Sequence, residues 1–220
     1  MITAQRLIKT DIPTLSRGDD PIRALGLMDE FRVVHLPVVE NGKFLGVVSE
    51  TSLLASNGST GIEFFSSENL LDVSVTPEEH VLDVLRVAGE HHVSIIPIIE
   101  KDRSFKGVVL LEDLVESLST MQGANKPGGI IVLEMAENDY SLQQIARIVE
   151  ENDAKILSLS VNPGEMGKIE VNLKINEPDL NAILQSFARF GYRIQGSYQE
   201  PEYTEDLKKR YDELMRYLNI

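Results

Sequence analysis

The chain is predicted to fold as α/β, of the α+β kind, with a doubled strand-helix-strand-strand-helix unit ahead of a single βαββαβ domain. Three observations carry this. The stretch from Val33 to Leu54, VVHLPVVENGKFLGVVSETSLL, returns as HVSIIPIIEKDRSFKGVVLLEDL, so that Pro37 answers to Pro97 and Gly46 to Gly107. A run crowded with Gly and Pro, Gln122 to Gly129, then interrupts the pattern, as residues that end helices and resist regular packing do. Beyond it the spacing of apolar residues changes and the unit does not recur. An internal repeat is read before any local motif, because equivalent units pack on one another. The residue added in the second turn lengthens a surface loop and leaves the strand registers alone.

In the first unit, residues 1–60, Ile12-Pro13-Thr14-Leu15 is expected as a short strand, followed by a turn and a helix from Asp20 to Phe31. Asp20 supplies an N-cap and Pro21 takes the first helical position, where a missing N–H costs nothing. Ile22, Leu25, Leu27 and Met28 are expected to face inward. Two strands and a short helix from Ser49 complete the unit. The second unit, residues 61–122, repeats the order. Val73 to Val75 is a strand, and a capping box at Thr76-Pro77-Glu78-Glu79 opens the helix. Val81, Leu82, Val84 and Leu85 point inward, and Val93 to Ile99 and Phe105 to Leu110 are strands. In the polar, glycine-rich segment between the units, Ile62, Phe64 and Phe65 are expected to dock on apolar surface.

Residues 123–128 form a linker to the second half, residues 129–200. Ile130 to Leu133 is a strand. Ser141-Leu142-Gln143-Gln144 is a capping box for a helix reaching Asn152, with Leu142, Ile145, Ile148 and Val149 inward. Ala154 to Val161 and Lys168 to Ile175 are strands around a turn at Asn162-Pro163-Gly164. A helix from Pro178 to Phe190 is stopped by Gly191, and Tyr192 to Tyr198 is the last strand. In the tail, residues 201–220, Tyr203, Leu207, Tyr211, Leu214, Met215 and Leu218 mark one stripe of an amphipathic helix.

Composition excludes several functions. With 220 residues, 42% of them hydrophobic, the chain can bury substantial cores. It has no cysteine, which removes disulfides and thiolate metal sites. The net charge of -14 opposes binding to polyphosphate backbones, so no nucleic acid is expected as a partner. No apolar run approaches the roughly 18 residues of a membrane span, and the expectation is a soluble cytoplasmic protein. His35, His80, His91 and His92 show no metal-ligand spacing, and His91 and His92 fit a helix end, where histidines meet the last carbonyls. There is no Ser-His-Asp pattern, phosphate loop or Gly-x-Gly-x-x-Gly. No enzyme is expected.

An apolar strand with an interior Leu-Pro-Val-Val, a turn with Gly, and Gly-Val-Val-Ser leading into a helix resemble a cystathionine-β-synthase (CBS) domain. Two in tandem, over about residues 1–120, resemble a CBS pair, a module that senses adenine nucleotides. The resemblance implies a non-catalytic allosteric cleft for AMP, ADP, ATP or S-adenosylmethionine, and dimers built from two pairs. The βαββαβ order of residues 129–198 is the ferredoxin-like plan and resembles an ACT domain, a family that pairs side by side and binds amino acids near its first strand-to-helix loop. That loop, Glu137 to Leu142, has no glycine before Leu142, so its backbone cannot approach a ligand closely, and a dimerising role is expected. A CBS pair followed by an ACT-like domain resembles the acetoin-utilisation B-type regulatory proteins, which implies a homodimer acting on a partner protein.

In CBS domains the last strand ends in Gly-apolar-apolar-Thr/Ser-x-x-Asp, whose hydroxyl and carboxylate hold ribose. The first unit reads Gly46-Val47-Val48-Ser49-Glu50-Thr51-Ser52, keeping the hydroxyl at Ser49 and placing Ser52 at the Asp position. The second reads Gly107-Val108-Val109-Leu110-Leu111-Glu112-Asp113, keeping Asp113. By the same resemblance Ser94 and Thr76 add polar contacts. Two readings stand for Ser49 and Asp113: ligand binding, or capping and solvating the helix that follows.

Overall fold

The computed structural model describes residues 2–55, 65, 69–199 and 217. The chain divides into two compact units, Met1–Ser117 and Leu118–Ile220.

The first unit is the doubled one. Helix α1 (Pro21–Phe31), strands β1 (His35–Glu40) and β2 (Lys43–Ser49) and helix α2 (Glu50–Leu54) are followed by α3 (Val81–His91), β3 (Ile95–Ile99), β4 (Phe105–Leu110) and α4 (Leu111–Met121). Each strand pair is an antiparallel hairpin. The first turns through Asn41 and Gly42, both in the left-handed region (φ 51° and 76°), which matches the twist of a two-residue hairpin loop. Asp20 accepts the Ile22 N–H at 2.9 Å to start α1. Both long helices of the repeats that lead into a hairpin stop on a left-handed residue, Arg32 and His92.

Several expectations are corrected. The two leading strands are single parallel bridges, Leu15 to Val38 and Val75 to Ile98. Directly after each, the chain turns: Asp19 accepts the Ser16 N–H and Glu79 the Thr76 N–H, which leaves no extended backbone to pair. The Thr76–Glu79 bond therefore closes a turn and does not open the helix. The N-cap of α3 is His80, whose Nδ1 accepts the Leu82 N–H at 3.2 Å. Ile22 and Leu82 are 77% and 48% exposed. Each lies two residues before a buried position, Ala24 and Val84, and residues so spaced point to opposite sides of a helix. The buried residues are Ala24 and Met28 of α1 and Val81, Val84 and Ala88 of α3. Phe65 is fully buried in the core of the first unit; Ile62 and Phe64 lie outside the described residues.

The second unit comprises β5 (Ile130–Ala136), α5 (Leu142–Glu150), β6 (Ile156–Pro163), β7 (Lys168–Ile175), α6 (Asn181–Arg189) and β8 (Arg193–Tyr198). Its sheet runs β6-β7-β5-β8 with every neighbour antiparallel, which is the ferredoxin-like plan. Ile131 and Leu133 of β5, Val171 and Leu173 of β7, Ile145 and Ile148 of α5 and Phe187 of α6 form its core. Leu142 is 51% exposed despite sharing the stripe of Val149. It is the first residue of α5, and helical side chains lean toward the N-terminus, past the end of the helix. β6 extends to Pro163, paired with Ile169; it is an edge strand, where a missing N–H leaves no gap in the ladder. The turn falls at Gly164 to Gly167 instead, with Met166 at φ 54°. Helix α6 begins at Asn181, after Asp179 has accepted its N–H at 3.0 Å. The stripe Tyr203, Leu207, Tyr211, Leu214, Met215 and Leu218 lies outside the described residues.

Candidate functional site

The two repeats are laced together by the segments that lead into them. Lys9, ahead of the first repeat, pairs with Val108 on the last strand of the second; its N–H reaches the Val108 carbonyl at 2.7 Å and the return bond is 3.0 Å. Leu71, ahead of the second repeat, pairs likewise with Val47 on the last strand of the first, at 2.9 and 2.8 Å. Glycine permits both approaches. A Cβ on Gly107 would collide with the Lys9 carbonyl oxygen, and one on Gly46 would stand 3.1 Å from that of Leu71. This is the physical reason for the paired glycines in the repeat.

The crossing brings Lys9 to Asp113. Asp113 sits in the first turn of α4 with its side chain 16% exposed, and the Lys9 ammonium lies 3.5 Å from its Oδ1. Its other oxygen, Oδ2, is buried and has no hydrogen-bond partner among the described residues. An unpaired buried carboxylate oxygen costs free energy until a donor reaches it. Glu112 beside it is exposed.

The remaining sequence-derived residues are spoken for. Ser49 caps α2, accepting the Ser52 N–H at 3.1 Å, and the two hydroxyls share a hydrogen at 2.8 Å. Ser94 ties the repeats: its Oγ accepts the Val34 N–H at 3.3 Å and meets His35 Nδ1 at 3.2 Å. Its carbonyl accepts the N–H of Leu111, the first residue of α4, at 3.1 Å. Ser94 also lines a groove of about 540 Å³ with Val34, Leu85, Ala88, His92 and Leu111. Thr76 bonds Glu79 through its N–H and hydroxyl, and faces an open groove of about 790 Å³ with Glu100, Asp102 and Lys106. Asp113 lines neither groove. Among the described residues no group of three or more His, Asp or Glu could hold a metal ion, and no described helix is long and apolar enough to cross a membrane.

In the second unit the loop after β5 borders a cavity of about 300 Å³ lined by Glu134, Asp139, Gln144, Phe190, Tyr192 and Arg193. Lys168 and Arg193 both donate to Glu134 Oε1, at 2.6 and 2.7 Å. The Lys168 hydrogen bond is the main cause holding that carboxyl below its ordinary range. Tyr192 donates to Gln144 at 3.0 Å, and burial pushes its hydroxyl pKa up.

The CBS domain family matches residues 4–57 and 69–120. Those two segments are CBS domains. An uncharacterized protein of Methanocaldococcus jannaschii, MJ0188, is 24% identical over 106 residues, 48% of this chain and 40% of that protein. A CBS domain pair/ACT domain protein of Thermotoga maritima aligns at 24% identity and a TM-score of 0.48, over 54% of this chain and 98% of the other. The CBS domain pair of protein MJ0100, solved with 5′-methylthioadenosine and S-adenosyl-L-methionine, aligns at 20% identity and a TM-score of 0.47, over 55% and 98%. The chain spans 22% to 40% of the length of four curated relatives it matches.

Two residues at the junction of the CBS domains escaped the sequence reading. Lys9 gave no local signal, since the second domain has Leu71 at the equivalent crossing. His35 did give one: it stands in an apolar run where the second CBS domain has Ile95. His35 is 8% exposed, and burial holds its pKa below the ordinary value.

Proposed function

We propose that this chain is a non-catalytic regulatory protein that senses an adenosyl ligand, AMP, ADP, ATP or S-adenosylmethionine, at Asp113 of the second CBS domain. The observation that carries the reading is Asp113 Oδ2, buried and without a donor among the described residues. A ribose supplies two adjacent hydroxyls, and a carboxylate accepts from both in charge-assisted bonds. Asp113 occupies the first turn of an eleven-residue helix, where the backbone dipole favours a neighbouring anionic group. Ligand binding regulates by preferring one of two arrangements of the protein. The same reading makes the chain a cytoplasmic homodimer, with the ACT-type domain as a pairing element.

A second reading draws on the first CBS domain. There Ser49 and Ser52 satisfy each other and Leu71 takes the place of Lys9. Two such domains would suit a dimeric scaffold or accessory subunit that binds a partner enzyme without a ligand.

A thermal-shift panel of AMP, ADP, ATP and S-adenosylmethionine, followed by calorimetry, separates the two. A ligand at about 100 times its Kd adds about 2.7 kcal/mol to stability. The sensor reading expects a shift with at least one compound, weakened by roughly one to two orders of magnitude in Asp113→Asn, the loss of one charged hydrogen bond. No shift with any compound leaves the scaffold.

A further inference from the structure

We infer that Lys9 makes the proposed site at Asp113 selective for an anionic adenosyl ligand, a nucleoside phosphate, over an uncharged or cationic one. The inference rests on the sensor reading and narrows its ligand class.

The Lys9 backbone is fixed on β4 by two bonds to Val108, at 2.7 and 3.0 Å. Its side chain is thereby delivered to the carboxylate proposed to hold the sugar. The ammonium stands 3.5 Å from Asp113 Oδ1, longer than the 2.7–2.9 Å typical of a charge-assisted hydrogen bond. Among the described residues it has no other partner. Two of the three ammonium protons are free to turn elsewhere even while the third faces Asp113.

In an adenosyl ligand the 5′ substituent leaves the same sugar ring whose diol Asp113 would hold. Lys9 and the start of α4 therefore bear on that substituent together: both favour a phosphate, and both oppose the sulfonium of S-adenosylmethionine. The net charge of the chain, -14, does not attract anions at long range, so selection has to come from a local cation such as this one. At the first domain's crossing Leu71 replaces Lys9 and Ser52 replaces Asp113. That half-site lacks both charges, and one nucleotide per chain is expected.

Calorimetry on the full chain with AMP, 5′-methylthioadenosine and S-adenosylmethionine tests this. Wild type is expected to bind AMP at least about tenfold more tightly than either other compound, the worth of one hydrogen bond to a charged group. Lys9→Met should bring AMP down to the affinity of 5′-methylthioadenosine while leaving the latter unchanged, and Lys9→Arg should keep the preference. Asp113→Asn should weaken both. Equal wild-type affinities, a preference for S-adenosylmethionine, or AMP binding unaffected by Lys9→Met overturns the inference and spares the sensor reading. Binding of none of the three by wild type overturns the inference, and the sensor reading falls with it if ADP and ATP also fail. Melting curves of Lys9→Met establish that a lost preference is not lost folding.

Discussion

His35 Nδ1 accepts the backbone N–H of Ser94 at 3.2 Å and meets the Ser94 hydroxyl at the same distance. The bond joins the first residue of β1 to the residue just ahead of β3, the position that answers to Val34 in the first CBS domain. It also assigns the ring's proton. With Nδ1 accepting, a neutral imidazole carries its hydrogen on Nε2, and protonation would set a second N–H against the Ser94 N–H.

The pH dependence of stability follows from that geometry. Burial lowers the His35 pKa below its ordinary value of 6.5, so the unfolded chain binds this proton more readily than the folded one. The His35 contribution is fully present above pH 6.5 and is lost as the pH falls from there through the folded pKa. Melting of the wild type between pH 7 and 5 should show a decline that His35→Asn reduces, since the amide oxygen takes the place of Nδ1 and does not titrate. An identical decline in the variant would remove His35 as its source.

The paired glycines should not respond equally. Gly107 has φ 142° and no room for a Cβ beside the Lys9 carbonyl. Gly46 has no such backbone constraint, and the atom closest to its Cβ would be the side chain of Leu70, at 2.7 Å. Gly107→Ala is expected to cost about 1–3 kcal/mol in strain alone, and more than Gly46→Ala. It should also weaken any ligand at Asp113, because the Lys9 strand has to retreat. Denaturant titration of both variants checks the order.

Ser49→Ala distinguishes a cap from a ligand group. Loss of the bond to the Ser52 N–H should cost about 1 kcal/mol or less, α2 being only five residues long. Adenosyl affinity, read by calorimetry, should not move. A selective loss of binding would restore the first-domain site.

Most of the chain's local structure was legible in advance. The doubled Pro and Gly positions placed the hairpins, Asp20-Pro21 placed the start of α1, and Asn41-Gly42 placed a turn, because capping, proline geometry and left-handed backbone are properties of a few adjacent residues. Where local rules competed, reading failed. Thr76-x-x-Glu79 has the letters of a capping box but closes the turn before the cap, and Ile22 and Leu82 sit in the first turns of helices whose other expected apolar positions Met28, Val81 and Val84 are buried while they stay exposed.

By itself, then, the sequence determined the repeat and the order of helices and hairpin strands in both units, since each depends on pattern within one stretch of chain. Only the tertiary structure decided which distant residues meet. The Lys9 segment crosses to the second domain and the Leu71 segment to the first, because pairing their backbones on β4 and β2 satisfies hydrogen bonds that neither segment can satisfy within itself. No periodicity encodes that exchange, and it is what sets Lys9 beside Asp113.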